Sequence, residues 1–248
     1  MSFSIEGKTA IVTGGANGVG CAIGRHFADQ GANVMFVDMD EDGLVNELGA
    51  AKDEGNVRYF AGDLREKLTM ANLLSATIDH FDQVDILVNA CRQVMVTDPL
   101  GVDDDTTETM LQQNLLNSLR LSQLVARRMI KQAAGNVESQ IGSIINLSSI
   151  AARRAHPDLM AYSIATAASD QMTRSLAVAL APHKIRVNAV AFGSVMSASL
   201  QETLKENADF RGDIEDHTPL QRIASPNELA AAVQYLASDW SGFMTGQI

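Results

Sequence analysis

Several residue types that would point to particular protein classes are scarce in this chain. Cysteine occurs twice, as Cys21 and Cys91, so the sequence offers no disulfide framework and fits a reducing compartment. Positive charge is in deficit, because 19 Lys and Arg residues face 30 Asp and Glu residues and leave a net charge of −11. A polyanion without a basic stripe is a poor partner for nucleic acid or for anionic lipid.

Long apolar runs are also missing. No stretch approaches the roughly 20 apolar residues that a membrane-spanning helix requires. The opening residues, MSFSIEGK, lack the apolar core of a signal peptide. We therefore expect a cytoplasmic protein whose partners are small molecules, with no nucleic acid and no membrane among them.

Short β-rich runs alternate with longer helical patterns along the whole chain, and no Pro/Gly/Ser-rich linker interrupts them. The runs predict six strands, at 9–12, 33–37, 57–60, 85–88, 143–147 and 186–190. Helical patterns lie between them, at about 18–30, 65–82, 106–133, 160–181 and 226–238. The strands lack polar alternation, as expected of parallel strands covered on both faces. The sequence thus predicts a single α/β domain over 1–248, a doubly wound parallel sheet (Rossmann fold) flanked by helices.

The acidic run Asp103-Asp104-Asp105 allows two interpretations. It could form a cation site, or it could cap the free N–H groups at the start of the following helix. The second interpretation is favoured, because metal ligands need a converging geometry that a linear run rarely provides. No metal site is predicted.

A glycine-rich segment, TGGANGVG, directly follows the first predicted strand and opens the first predicted helix. Glycines there permit a tight turn and let backbone N–H groups approach a pyrophosphate at the helix N-terminus. A glycine cluster alone could be a simple turn, but the strand–loop–helix–strand context favours a dinucleotide site. The candidate binding residues are Gly14, Asn17, Gly18, Val19 and Gly20.

Asp38 ends the second predicted strand and predicts the choice of dinucleotide. A carboxylate at this position can accept hydrogen bonds from the adenosine ribose hydroxyls and would repel a 2′-phosphate. The plainer alternative is a residue that only forms the turn after the strand. No Arg or Lys lies in the glycine loop or directly after Asp38 to receive a phosphate, so we expect NAD as the cofactor.

With these features in place, the sequence resembles the short-chain dehydrogenase/reductase family, especially its bacterial hydroxysteroid and 3-oxoacyl-carrier-protein reductase-like subgroup. TGGANGVG fits the family's TGxxxGxG loop. Ser149 ends the fifth-strand segment and stands thirteen residues before Tyr162, the family's usual spacing. Other matches are Asp63 and Leu64 at the adenine, Asn89 after the fourth strand, Asn114 in the long helix, and Gly193, Val195 and Ser197 around the nicotinamide.

The resemblance implies an NAD-dependent oxidoreductase that interconverts a secondary alcohol and a ketone. Ser149 would polarise the reacting oxygen, Tyr162 would transfer the proton and contact the cofactor, and Asn114 would support a water chain. The resemblance also implies a homotetramer built on the helices at about 106–133 and 160–181. A segment at about 196–218 matches the family's mobile substrate lid.

The chain departs from the family pattern at several positions. The motif Tyr-x-x-x-Lys reads Tyr162 to Thr166, so its lysine is missing. The motif Asn-Asn-Ala-Gly reads NACR and ends in Arg92, while Phe192 and Ser197 replace a Pro and a Thr of the nicotinamide loop. The family pattern continues beyond the final TGQI into a seventh strand and a Gly-Gly turn.

The missing lysine matters energetically. An unperturbed tyrosine has a pKa of about 10, so a base working near neutrality needs about three units of stabilisation, or about 4 kcal/mol. One ammonium at about 4 Å, with an effective dielectric of about 20, supplies that much, and an uncharged Thr166 cannot. Unless another cation takes its place, we expect an impaired enzyme, since general acid–base catalysis contributes about 10²–10⁴-fold.

Three arginines could replace that charge: Arg92, Arg153 and Arg154. Arg92 is the first candidate, because it follows the fourth predicted strand on the cofactor side of the sheet. Each could also be an ordinary solvated surface arginine. Alternatively, the three arginines together could bind an anionic group of the substrate. A rival from another functional class is a non-catalytic NAD-binding protein, kept as a sensor or silent subunit. Thr166 favours that rival, whereas the intact Ser149 and Tyr162 argue against it.

Overall fold

A computed structural model describes residues 3–49, 55–133, 139–206 and 209–248, and within them the backbone forms a six-stranded parallel sheet. The strands are β1 (Thr9–Thr13), β2 (Asn33–Asp38), β3 (Val57–Ala61), β4 (Ile86–Asn89), β5 (Gly142–Ser149) and β6 (Ile185–Phe192). They lie in the order β3-β2-β1-β4-β5-β6. Each predicted strand is confirmed, with bounds within two residues.

Helices cover both faces of the sheet. They are α1 (Gly18–Asp29), α2 (Glu41–Leu48), α3 (Lys67–Phe81), α4 (Thr106–Leu111), α5 (Asn117–Gln132), α6 (Met160–Leu180), α7 (Ala198–Glu206), α8 (Asp209–Asp216) and α9 (Pro226–Ala237). One core layer joins a sheet face to α1, α2 and α9, and the other joins the opposite face to α3, α5 and α6. The predicted doubly wound α/β fold is therefore confirmed.

Alternate residues of the central strands enter opposite layers, although both sets are apolar. Ile11 of β1 packs with α3 and α5, whereas its neighbours Ala10 and Val12 pack with α1 and α9. All three side chains are fully buried. This burial on both faces explains why the sequence of a parallel strand shows no polar alternation.

Two helical features differ from the sequence prediction. Helix α2 was not predicted, because its eight residues bury only Leu44 and Leu48 and present a weak apolar pattern. The helix predicted at 106–133 is divided by a π-helical segment, Gln112–Leu116, which lies between α4 and α5. Short π segments often lie at functional sites, because they displace side chains from the regular helical positions.

The acidic run before α4 acts as a cap through its middle residue. Asp104 accepts a hydrogen bond from the N–H of Thr106 at 2.8 Å and another from the N–H of Asp98 at 2.9 Å. The side chain and the backbone N–H of Thr106, together with the N–H of Asp98, hold the pKa of Asp104 below its usual range. The predicted capping role is confirmed, with Asp104 rather than the adjacent Asp105 as the acceptor.

The last residues of the chain run beside the edge strand β6. The N–H of Gly246 donates to the carbonyl of Val187 at 2.7 Å, and the N–H of Ala189 donates to the carbonyl of Gln247 at 2.8 Å. In the part of the chain that the structure describes, no helix is both long and apolar enough to cross a membrane.

Candidate active site

The candidate site lies at the carboxyl ends of the strands, where β1 borders both β2 and β4 and the chain connections leave in opposite directions. Open α/β sheets bind ligands at this switch point. The hydroxyl of Thr13, the last residue of β1, joins the two sides of the cleft. It accepts the N–H groups of Ala90 and Cys91, each at 3.0 Å, and donates to the carbonyl of Val88 at 3.4 Å.

The glycine loop fits a dinucleotide pyrophosphate. Gly14 has a φ of 69°, and a Cβ there would lie 3.0 Å from the backbone of Ala90 and Cys91. A Cβ on Gly20 would lie 2.2 Å from the carbonyl oxygen of Gly14. The loop therefore needs glycine to close against the first turn of α1. Asn17 makes no side-chain capping bond among the described residues, so the amide end of α1 can receive an anion.

Asp38 faces this loop from the end of β2. Its Oδ2 accepts the N–H of Ala16 at 3.1 Å, and its Oδ1 accepts the N–H of Asp40 at 3.2 Å. These bonds fix the carboxylate beside the loop, as a contact to adenosine ribose hydroxyls requires. Asp63, predicted to meet the adenine, pairs through its carboxylate with Arg65 at 2.5 Å, which lowers the pKa of Asp63. Its neighbour Leu64 is buried in the core.

A buried polar chain supports the floor of the site. Asn89 at the end of β4 donates to Ser122 at 3.0 Å and to Asn146 of β5 at 2.8 Å. Asn146 in turn donates to Thr173 of α6 at 2.8 Å. The predicted cofactor contact of Asn89 stays a prediction, while the observed role of its amide is to join β4, β5 and two helices.

Tyr162 lies in the first turn of α6 and is only 5% exposed. Met110, Ala161 and Ala165 surround its ring with apolar atoms. Thr166, one turn later, is buried and donates its hydroxyl hydrogen bond to the carbonyl of Tyr162 at 2.7 Å. Thr166 therefore bonds to its own helix backbone, as threonines in helices often do.

Arg92 supplies the polar partner of the Tyr162 phenol. Its Nη1 donates to the Tyr162 hydroxyl oxygen at 2.9 Å. Its guanidinium carbon also lies 4.4 Å from the centre of the Phe192 ring and 5.9 Å from that of Tyr162. The other two candidate cations, Arg153 and Arg154, follow the turn after Ser149 and are exposed.

Asn114 is in the π-helical segment and holds the loop that carries Arg92. Its Oδ1 accepts the N–H of Gln93 at 2.8 Å, and its Nδ2 donates to the carbonyl of Gln93 at 2.8 Å. Asn114, Arg92, Tyr162 and Thr166 line one small cavity of about 10 Å³, the size of a single water molecule. Asn89 also lines this cavity, so the structure brings together three predicted site residues, Asn89, Asn114 and Tyr162. The water chain itself stays a prediction.

Ser149 is the last residue of β5 and is paired in register with Phe192 of β6. It is 8% exposed. Its Oγ accepts the N–H of Ala151 at 3.2 Å, and Ala151 packs against the cluster that contains Tyr162. Since a hydroxyl carries one donor and two acceptor sites, the O–H of Ser149 can donate to a substrate oxygen.

The predicted nicotinamide segment follows β6. Val195 is 8% exposed and forms an isolated parallel bridge with Ala224, whereas Gly193 is exposed. The Oγ of Ser197 accepts the N–H of Leu200 at 3.3 Å. The predicted lid, 196–218, contains α7 and α8, and its role as a lid stays a prediction.

Two contacts at the site were not predicted from the sequence: the packing of Arg92 against the Phe192 ring, and the hydrogen bonds of the Asn114 amide to the backbone of Gln93. Both contacts join segments far apart in the chain, and no local pattern reports them. The sequence held one indication of these contacts. Arg92, Thr166 and Phe192 all depart from the family pattern, and several such departures in one chain can compensate for each other when the residues lie close together. The structure shows that Arg92 and Thr166 both bond to Tyr162, and that Phe192 contacts Arg92.

Comparison with known proteins shows which proteins this chain resembles in sequence and fold. A family model described as enoyl-(acyl carrier protein) reductase matches residues 14–248. L-fucose dehydrogenase of Mus musculus is 32% identical over 97% of this chain and 85% of its own length. For 2,3-dihydroxy-2,3-dihydro-p-cumate dehydrogenase of Pseudomonas putida the identity is 31%, over 100% of this chain and 93% of that protein. A crystal structure from Sinorhizobium meliloti 1021, assigned as a short-chain alcohol dehydrogenase, superposes with a TM-score of 0.88 at 26% identity, over 99% of this chain and 94% of that one.

Cys91, at the mouth of the cleft, gives a test of the site's electrostatics. Desolvation raises the pKa of its thiol to about 11, and the carboxylates of Asp38 and Asp63 add to the effect. The thiolate is the reactive form, and at pH 8 only about a thousandth of Cys91 is present as thiolate. We expect alkylation of Cys91, followed by mass spectrometry, to be slow at pH 8 and to rise about tenfold per unit toward pH 11. Asp38→Asn should accelerate the alkylation, whereas Asp42→Asn, at an exposed position of α2, should not.

Fast alkylation of Cys91 at pH 8 in the unsubstituted chain would contradict this electrostatic description. Equal rates in the Asp38 and Asp42 variants would show that Asp38 does not act on the cleft mouth.

Proposed function

Because the chain belongs to the short-chain dehydrogenase/reductase family, and is thus an oxidoreductase with a nicotinamide cofactor, we propose that it is an NAD-dependent dehydrogenase. Its proposed reaction interconverts a secondary alcohol and a ketone. The observation that carries the proposal is the buried Tyr162 hydroxyl, held by a guanidinium within hydrogen-bond distance on the cofactor side of the sheet.

The cofactor would be held by the glycine loop, the amide end of α1 and the carboxylate of Asp38. The tight glycine loop supports this mode of cofactor binding, since a Cβ on Gly14 or Gly20 would collide with neighbouring backbone atoms and open the loop. When bound, the nicotinamide supplies a hydride acceptor for alcohol oxidation and a hydride donor for ketone reduction.

The chain's own residues would handle the proton and the reacting oxygen. In the oxidative direction the Tyr162 oxygen takes the proton of the substrate hydroxyl, and the O–H of Ser149 donates a hydrogen bond to the same substrate oxygen. Arg153 and Arg154 would favour a substrate with an acidic group, because both are exposed beside the turn after Ser149.

A homotetramer is proposed for the assembly, with α6 in the interface. One side of α6 presents a stripe of exposed residues, mostly small or apolar, with Arg174 at its margin: Ile164, Ala167, Gln171, Ser175 and Val178. Val178 is 78% exposed. A long helix with such a stripe is suited to pack against a second helix.

Cofactor choice follows from Asp38. We expect NAD to bind at least about tenfold more tightly than NADP, a difference of about 1.4 kcal/mol, because the carboxylate repels a 2′-phosphate. Titration calorimetry with both dinucleotides measures the difference. Asp38→Ala should reduce the preference, whereas Asp42→Ala should retain it. Equal affinities in the unsubstituted chain would exclude NAD specificity.

The catalytic assignment is tested with a panel of neutral and acidic secondary alcohols and NAD. Tyr162→Phe and Ser149→Ala should each lower kcat by about 10²–10⁴-fold while NAD still binds. Tyr235→Phe is the matched control, since the Tyr235 hydroxyl contacts Met244 away from the site. If the chain binds NAD but oxidises no alcohol of the panel, a non-catalytic NAD-binding role is supported instead.

The assembly is tested by sedimentation. We expect the native chain to sediment at four times its mass of 26.6 kDa. Val178→Asp should place a charge in a desolvated interface and dissociate the tetramer. Leu68→Asp changes an equally apolar residue, 73% exposed on α3, and should leave the mass unchanged. A monomeric native chain would rule the tetramer out.

A further inference from the structure

Three positions where this chain differs from its family pattern are linked by contacts to Tyr162 or to Arg92. Thr166 stands where the family has its lysine, Arg92 where it has a glycine, and Phe192 where it has a proline. In the structure Arg92 donates to the Tyr162 hydroxyl and lies over the Phe192 ring, while Thr166 bonds to the Tyr162 carbonyl. The charge lost from α6 thus has a counterpart on the loop after β4.

We infer that Arg92 is the cation that stabilises the Tyr162 phenolate, and that Phe192 is a positioning residue for Arg92. The hydrogen bond of 2.9 Å brings a fixed positive charge to the atom on which negative charge forms. Charge-assisted hydrogen bonds are roughly twice as strong as neutral ones. The guanidinium also stays charged throughout the working pH range, so it acts on Tyr162 at every pH of interest.

Two contacts keep Arg92 in place. The Phe192 ring lies 4.4 Å from the guanidinium carbon, within the range of a cation–π interaction. The amide of Asn114 holds both backbone groups of the adjacent residue, Gln93, at 2.8 Å. Arg92 is exposed, so its charge is partly screened and these contacts matter for its effect. Without them the side chain would sample solvent rather than the phenol.

The other charged groups near Tyr162 do not offer the same contact. Cys91 lines the same cavity, and its raised pKa keeps it neutral near pH 7. Asp170, further along α6, accepts a hydrogen bond from Ser148 at 2.5 Å. His156 and Asp158, in the loop before α6, lie 3.9 Å from one another with exposed side chains. Arg153 and Arg154 are exposed, and the hydrogen bond given for the Tyr162 phenol among the described residues comes from Arg92.

This inference assigns a role within the proposed function, but its first test needs neither cofactor nor substrate. The chain has three tyrosines, Tyr59, Tyr162 and Tyr235, so phenolate absorbance can be followed in the free protein. Subtracting the titration of Tyr162→Phe isolates the signal of Tyr162. In Arg92→Met the phenolate should form at least about one pH unit higher, a tenfold change in its fraction. Arg153→Met, which removes a nearby arginine without this contact, should leave the titration unchanged.

Conservative variants separate charge from structure. Arg92→Lys should restore most of the native titration, and Phe192→Leu, which keeps Arg92 but removes the ring, should give an intermediate curve. Near-ultraviolet circular dichroism would verify that each variant is folded. A Tyr162 titration that is identical in the native chain and in a folded Arg92→Met variant would overturn the inference.

The second test moves the charge back to α6. For this test Thr166→Lys is combined with Arg92→Met. In Arg92→Met, which should lose at least about tenfold at pH 7 and recover at alkaline pH, the added lysine should restore turnover. Higher turnover in Arg92→Met than in the native chain would show that Arg92 obstructs the site, which contradicts the inference. Should the titration shift as expected while no alcohol is oxidised, the proposed function fails and the Arg92 contact stands.

Discussion

The hydroxyl of Thr13 joins the two loops on which the site depends. It receives the N–H groups of Ala90 and Cys91 and donates to the carbonyl of Val88, so the end of β1 and the loop after β4 form one unit. Buried hydrogen bonds of this kind contribute about 1 kcal/mol each, and leaving the N–H groups unpaired would cost more. The glycine loop extends from one side of this clamp and Arg92 from the other. Cofactor binding and the charge at Tyr162 therefore share a single anchor.

Much of the fold could be predicted because its signals are local. The central strands β1, β2 and β4 are short apolar runs buried on both faces. The glycine loop and Asp38 occupy fixed places relative to β1 and β2. Helix α2 escaped prediction because it buries only two side chains. The π-helical segment that carries Asn114 was also missed, because one extra residue in a turn leaves no mark on the apolar pattern.

The chemistry around Tyr162 could be predicted only in part. The sequence showed that a charge was missing and named three arginines that could replace it. It placed Arg92 first, as the residue at the end of the fourth predicted strand, but the contact itself depends on which loop is held against the sheet. The contact of Asn114 with Gln93 and the ring of Phe192 hold Arg92 there, and both are products of tertiary packing.

Bringing the charge from another element changes what the tyrosine depends on. In the family pattern the lysine is one helical turn from the tyrosine, so helix geometry alone keeps the two groups close. Here Arg92 and Tyr162 are 70 residues apart in the chain and meet only when α6 is docked against the sheet. A loosened state that keeps its helices but loses fixed packing would separate them. On heating, catalytic competence would therefore disappear with the tertiary packing, while the helical content was still largely intact.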